Sequence, residues 1–135
     1  MNANADEKER AKDQARATLA NIVEMVQAFR DAAKAEDWDA YDEAREAIEN
    51  DPLSVEVRSD WHTPGADEDG PTEYRILLSW GGPAAQITGE LDKGQPTSAK
   101  LQYQDWFTAW TDYRETSEEE DAALLDYAQV FYFGE

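Results

Sequence analysis

The spacing of apolar residues changes twice along this chain, and that change restricts the fold more than any other sequence feature. Helices are predicted over residues 5–35 and 38–49, where apolar side chains recur at the spacing of an amphipathic helix from Leu19 onwards. Between residues 53 and 104 they alternate with polar side chains, as in a strand with one covered face. Helical spacing returns after Ser117. This order predicts an α+β fold.

Two N-terminal helices are expected. Residues upstream of Ala17 are mixed in charge and lack the apolar stripe, so we expect residues 1–16 to protrude as a solvated helix or to fray. The second helix begins after Asp37, a suitable N-cap, and ends before Pro52, because proline cannot continue a helix. The stripe of the first helix contains Leu19, Ile22, Val23, Val26, Phe29 and Ala33. One side of the second contains Trp38, Tyr41, Ala44, Arg45 and Ile48.

Four strands are predicted between the second helix and the end of the alternating region. Turn residues at 81–83 and 92–94 separate neighbouring strands, and residues 62–72 have the composition of a longer flexible loop. The pattern therefore favours a four-stranded antiparallel sheet with helices on its apolar face. The predicted strands cover residues 53–58, 74–80, 85–91 and 99–104.

A C-terminal helix is expected to begin at Ser117. Ser117 and Glu120 have the spacing of a capping box, and the acids of the first turn suit the positive end of the helix dipole. Leu124, Ala128 and Phe131 form the stripe that packs this helix on one face of the sheet. At 135 residues, the chain is expected to form a single domain, 1–135.

The charge of the chain limits its partners. Thirty-one Asp and Glu residues face twelve Lys and Arg, which gives a formal net charge of −19. Such a surface repels nucleic acid and anionic membranes and attracts basic protein surfaces. The acids are spread along the whole chain, so they are expected to coat the folded body rather than form a tail. Direct nucleic-acid binding is not expected, because no basic patch is present.

The sequence gives little support to an enzyme or to a cofactor. The single histidine, His62, follows Trp61 in a turn-rich region, and no phosphate loop or dinucleotide fingerprint is present. The acidic loop around Gly70 resembles a calcium loop, but Gly65 and Ile76 occupy its first and twelfth ligand positions. With no cysteine and one histidine, a zinc site is not expected. We therefore predict a non-enzymatic protein without catalytic, cofactor-binding or metal-binding residues.

The location of the protein is predicted from three absences. No apolar run approaches the roughly 18 residues of a membrane span, and residues 1–7 lack the basic and apolar regions of a signal peptide. The absence of cysteine suits a reducing compartment. We expect a cytoplasmic protein that does not associate with membranes.

Partner-binding residues are predicted in acidic and aromatic segments. The aromatic stretch 106–113 is interpreted either as a satellite core or as a contact patch. The apolar segment 130–133 is either buried or docked on a second copy, which leaves a homodimer open. The acidic candidates are Asp39, Asp42, Glu43, Glu46, Glu49, Asp67, Glu68, Asp69, Glu118, Glu119, Glu120 and Asp121. The aromatic candidates are Trp106, Trp110 and Tyr113.

Three explanations compete for the acidity. Carboxylates on helices can imitate a phosphate track and occupy a basic groove, with fast, salt-sensitive association. Alternatively, an acidic chain with few lysines and no cysteine is typical of a halophilic host. A third explanation is that the charge keeps a generic protein-interaction module soluble while the aromatic patch binds its partner.

The C-terminal half carries a resemblance. Residues 78–83, 101–106 and 131–135 resemble segments of small uncharacterised acidic proteins of phages and plasmids, over residues 74–135. The size and acidity are similar to those of phage-encoded anti-CRISPR and anti-restriction proteins that mimic DNA. This resemblance transfers no functional residue. It implies an inhibitor from a mobile element that binds a basic nucleic-acid-binding defence protein of the host, either a CRISPR effector or a restriction nuclease.

Overall fold

The computed structural model describes residues 3–59, 61, 63–64, 70–80, 83–105, 109–131 and 133, and within them it confirms an α+β fold. Helices pack on one face of an antiparallel sheet. The helices are α1 (Ala3–Lys34), α2 (Trp38–Glu49) and α3 (Glu118–Gln129). The strands are β1 (Ser54–Arg58), β2 (Glu73–Ser79), β3 (Ala84–Asp92), β4 (Gln95–Pro96), β5 (Lys100–Gln104) and β6 (Thr111–Asp112).

The sheet has six strands in the described part of the chain, so the prediction of four is wrong. The main path runs β1-β2-β3-β5-β6, and β4 pairs with β3 beside it. Every pairing is antiparallel. The two additional strands, β4 and β6, are two residues long and are too short to show alternation in the sequence. The four predicted strands correspond to β1, β2, β3 and β5.

The covered face of the sheet is built from side chains in register. Ile76 lies opposite Val55 on one side and opposite Ile87 on the other, and Ile87 lies opposite Leu101. Three of these residues, Ile76, Ile87 and Leu101, are buried, and they form the floor of the core. Alternation places the charged residues of the same strands on the opposite face. We call that opposite surface the outer sheet face.

Two turns depend on left-handed backbone. The β3–β4 hairpin closes on Lys93 and Gly94, whose φ values are 52° and 80°, as a type I′ turn requires. The connection from α1 to α2 passes through Glu36, at φ 55°. There the amide of Asp37 donates to the carbonyl of Ala32 at 3.0 Å, which closes the end of α1. The predicted turn at 92–94 is thereby confirmed.

Tyr74 and Gly89 form a close crossing on the covered face. They are register partners on β2 and β3, and the Tyr74 hydroxyl donates to the carbonyl of Ser98 at 2.6 Å. A Cβ at position 89 would lie 2.0 Å from that carbonyl oxygen and 2.7 Å from the Tyr74 ring. Glycine is therefore required at this point, and burial raises the pKa of the Tyr74 hydroxyl.

The helices are arranged around α1. Both α1 and α3 contact the sheet, whereas α2 packs mainly on α1, so the prediction that all helices cover the sheet directly is corrected for α2. The packed face of α1 also begins earlier than expected, because Ala11 and Ala15 are 1% and 0% exposed. Alanine contributes little to an apolar stripe, which is why the sequence pattern does not reveal this contact. The largest fully buried side chains are Tyr127, Leu19, Ile22, Ile48, Ile76, Ile87, Leu101, Leu124 and Val26.

The segment after α3 returns to the core. Phe133 is 2% exposed and its ring lies 4.9 Å from that of Tyr74, between centroids. Phe131 is half-buried, 5.7 Å from the ring of Tyr127. Of the two interpretations of this apolar segment, burial within the fold accounts for Phe131 and Phe133. No helix in the described ranges has the length and apolar character that a bilayer span requires.

Candidate functional site

The strongest candidate surface lies on α2, a helix that has a capping residue at each end. The Asp37 side chain accepts a hydrogen bond from the amide of Ala40 at 3.2 Å, so the predicted N-cap is confirmed. Asn50 provides the C-cap, ahead of Pro52. Ile48 is completely buried and holds the helix against the core. The opposite side of α2 is therefore turned to solvent.

Five carboxylates occupy that solvent side. At about 100° per residue, they fall within an arc of about 120°, centred opposite Ile48. All five are exposed. We call this surface the acidic face of α2; it consists of Asp39, Asp42, Glu43, Glu46 and Glu49.

The acidic face is almost uncompensated. Residues 36–51 contain eight acids and one base, Arg45. The guanidinium of Arg45 pairs with Glu49 at 2.9 Å. Among the residues that the structure describes, the other four carboxylates of the face have no ion-pair partner. Their charges are available to a partner.

The acids at the start of α3 have a different origin. The Ser117 hydroxyl accepts from the amide of Glu120 at 3.1 Å, and the Glu120 carboxylate accepts from the amide of Ser117 at 2.9 Å. This confirms the predicted capping box. The three other predicted acids of this turn, Glu118, Glu119 and Asp121, are exposed at the positive end of the helix dipole. Local helix stability is therefore sufficient to account for this cluster.

The outer sheet face carries both signs of charge. Arg75 pairs with Glu56 at 2.7 Å, and Arg58 pairs with Glu73. The hydrogen bond from Arg58 lowers the pKa of the Glu73 carboxyl below its ordinary value. These pairs border a shallow depression of about 630 Å³. Since its cations are already engaged with carboxylates, this face contributes little net charge.

A polar ladder crosses the same face. Gln86 donates to Gln102 at 2.7 Å, and Gln102 donates to Asp112 at 2.8 Å. That second bond, together with Lys100 at 3.5 Å, lowers the pKa of the Asp112 carboxyl. The Gln86 amide is buried and its oxygen has no hydrogen-bond partner within the described ranges. The ladder ties β3, β5 and β6 together.

The edge of the sheet at β6 is joined to α1 by ion pairs. Lys12 pairs with Glu115 at 2.7 Å, and Arg16 approaches the same carboxylate at 3.4 Å. The hydrogen bond from Lys12 is the main reason that the pKa of Glu115 is lowered. The same contact raises the pKa of Lys12. These residues fasten the long helix to the segment that precedes α3.

The predicted aromatic patch is not a single exposed surface. Tyr113 is 6% exposed, and its ring packs edge-on against Tyr103 with centroids 6.4 Å apart. Its hydroxyl also accepts a hydrogen bond from Arg16 at 3.4 Å. Tyr113 is therefore a core residue in the structure, in keeping with the satellite-core interpretation of the aromatic stretch. Trp110 is half-buried beside it, and Trp106 lies outside the described residues.

Other sequence candidates also fall outside the described residues. They are His62 and the acidic loop residues Asp67, Glu68 and Asp69. Within the described ranges, no three side chains of histidine, cysteine, aspartate or glutamate are grouped so that they could hold a metal ion.

One feature of the helical side is missed by sequence reasoning. Trp38 shares the apolar side of α2 in the sequence pattern, yet it is 58% exposed. Its neighbour Tyr41 packs against Phe29, with ring centroids 4.5 Å apart. Trp38 is the first residue of α2, and this terminal position is the sequence signal that separates it from the buried Ile48 on the same side of the pattern.

Comparison with known proteins adds no assignment to this geometry. No protein-family model, curated protein or solved structure matches the chain.

Proposed function

We propose that this protein is a non-enzymatic inhibitor that uses the acidic face of α2 to occupy the basic nucleic-acid-binding groove of another protein. The intended partner is a host defence protein, either a restriction nuclease or a CRISPR effector. The observation that carries the proposal is the segregation of charge. The five carboxylates of the acidic face are accompanied by a single cation, Arg45, which pairs with Glu49. On the outer sheet face, by contrast, the arginines and Lys100 are all paired with carboxylates.

The spacing of the carboxylates supports imitation of a nucleic-acid backbone. From Asp39 to Glu49 the helix advances about 15 Å at 1.5 Å per residue. One strand of B-DNA presents a phosphate about every 3.4 Å along its axis, so it carries four to five phosphates over about the same length. The acidic face has five carboxylates over that distance, of which four have no ion-pair partner among the described residues. A groove that binds phosphates would meet a similar linear density of negative charge.

The rigidity of the surface is a second support. The acidic face is carried by a capped helix whose opposite side is held in the core by Ile48. Charges on a fixed element lose little conformational freedom on binding, which favours affinity. By contrast, the competing proposal of an aromatic contact patch loses one of its three residues to the core, Tyr113.

The proposal is tested by capture and competition. The protein, immobilised through a terminal tag, is incubated with extract from its native host, and captured proteins are assayed for nuclease activity and DNA binding. We expect capture to weaken about tenfold or more as salt rises from about 0.05 to about 0.5 M. Duplex DNA should displace the captured protein. Capture that is unchanged by salt or by excess DNA would overturn the proposal.

A pair of charge-matched variants locates the binding surface. The first variant, Asp39→Asn with Asp42→Asn and Glu46→Gln, removes three charges from the acidic face. The second, Glu118→Gln with Glu119→Gln and Asp121→Asn, removes three from the start of α3. We expect only the first to lose capture of the nuclease and its inhibition. Equal losses from both would show that net charge, rather than α2, is responsible.

A further inference from the structure

A groove on the helical side adjoins the acidic face of α2. It has a volume of about 550 Å³ and is lined by residues of α1, α2 and the end of α3. Phe29, Ala33, Tyr41 and Val130 give it an apolar lining. Its two cations are already engaged, Arg30 with Asp126 and Arg45 with Glu49.

A row of aromatic rings leads from this groove to the surface. Phe29 and Tyr41 pack with centroids 4.5 Å apart, and Tyr41 contacts Trp38 edge-on at 5.5 Å. The row ends at Trp38, whose side chain is 58% exposed. Tryptophan is one of the residue types enriched among the side chains that anchor protein interfaces.

Trp38 also borders the acidic face. On a helical projection it lies about 80° from the centre of that face, and Asp42 lies one turn further along the same side. Trp38 and Asp42 therefore share one side of the helix, and the Asp42 carboxylate has no ion-pair partner among the described residues. Arginine fits this combination, because its planar guanidinium stacks on an aromatic ring while it donates hydrogen bonds to a carboxylate.

We propose that Trp38 and the groove anchor an arginine-bearing segment of the protein partner. The guanidinium stacks on Trp38 and pairs with Asp42, and a neighbouring apolar side chain of that segment enters the groove beside Phe29 and Tyr41. The inference rests on the proposed function, since it assigns the contact that fixes the partner on the acidic face. Charge complementarity favours an arginine-bearing segment at this position. A second copy of this acidic chain, or a nucleic acid, would instead bring negative charge to the same carboxylates.

The test uses oligoarginine and oligolysine peptides of equal length and charge. They are titrated into the full-length protein, and the indole N–H signals of its tryptophans are followed by NMR, with Trp38 assigned from a Trp38→Phe variant. We expect both peptides to bind, with oligoarginine about two- to fivefold tighter and the Trp38 signal shifting most. In Trp38→Ala the preference for arginine should disappear, while oligolysine binding is unchanged.

Trp80→Ala is the matched control, because Trp80 is 69% exposed and follows β2, a strand of the sheet. It should keep the preference for arginine. Equal affinities for the two peptides in the unaltered protein, or an unmoved Trp38 signal, would overturn the anchor. Suppose that the anchor failed in this way, but the acidic-face variant Asp39→Asn, Asp42→Asn, Glu46→Gln still reduced binding of both peptides. The proposed function would then stand without the Trp38 anchor. Peptide binding that is indifferent to that variant would overturn the proposed function itself.

Discussion

At the scale of single residues, Gly89 leaves no room for a side chain. A Cβ there would lie 2.0 Å from the carbonyl oxygen of Ser98, a backbone atom that cannot move aside alone. We expect Gly89→Ala to lower the free energy of unfolding by about 3 kcal/mol, the upper part of the range for overpacked sites. Urea unfolding followed by circular dichroism measures this loss.

Gly70 provides the matched comparison for that substitution. Its φ is +73°, but nothing lies within 4 Å of the Cβ that alanine would add. Gly70→Ala should therefore cost only the left-handed backbone penalty, about 1 kcal/mol. If the two variants lost equal stability, the close crossing of Tyr74 over Gly89 would not be the cause.

At the scale of the element, α1 ends in a strained backbone conformation that a single substitution can relieve. Glu36 adopts φ 55° at the position where helices usually place glycine. We expect Glu36→Gly to raise the free energy of unfolding by about 0.5 to 1 kcal/mol, because glycine enters the left-handed region without a Cβ clash. Thermal unfolding of Glu36→Gln is the control, since it removes the same charge and keeps the strain. A gain of equal size in both variants would assign the effect to charge.

Elements with strong local signals are predictable from the sequence, whereas their partners are not. The bounds of α2 follow from Asp37 and Pro52, and the start of α3 follows from its capping box. The acidic face is likewise visible in the sequence as an arc of carboxylates. Tertiary packing decides which surfaces of an element are covered by its neighbours. The sequence pattern therefore predicts neither the exposure of Trp38 nor the burial of Ala11. The short strands β4 and β6 are defined by pairing alone.

At the scale of the whole molecule, charge repulsion should limit stability. A net charge of −19 destabilises the compact state, so added salt is expected to raise the melting temperature. Screening is nearly complete at about 1 M, where the Debye length is about 3 Å. Calorimetry in increasing NaCl should therefore show a rise that levels off near this concentration. A continued rise at higher salt would favour the halophilic explanation of the acidity.

The stability of the fold should fall in acid through three paired carboxylates. The pKa values of Glu73, Asp112 and Glu115 are lowered by the groups that donate to them in the folded state. Their contribution is complete above the unfolded values of 4.5 and 3.8 and is lost as the pH falls through the folded pKa values. Melting temperatures that rise steadily down to about pH 3 would contradict this prediction.

The separation of charge between the two sides of the molecule has a consequence before any contact is made. We expect the uncompensated carboxylates on α2 and the paired charges on the outer sheet face to contribute to an electric dipole moment. In the field of a positively charged cleft, that dipole experiences a torque that turns α2 towards the cleft while the two molecules still diffuse. A larger fraction of collisions then begins in the productive orientation, and the association rate rises without any new contact.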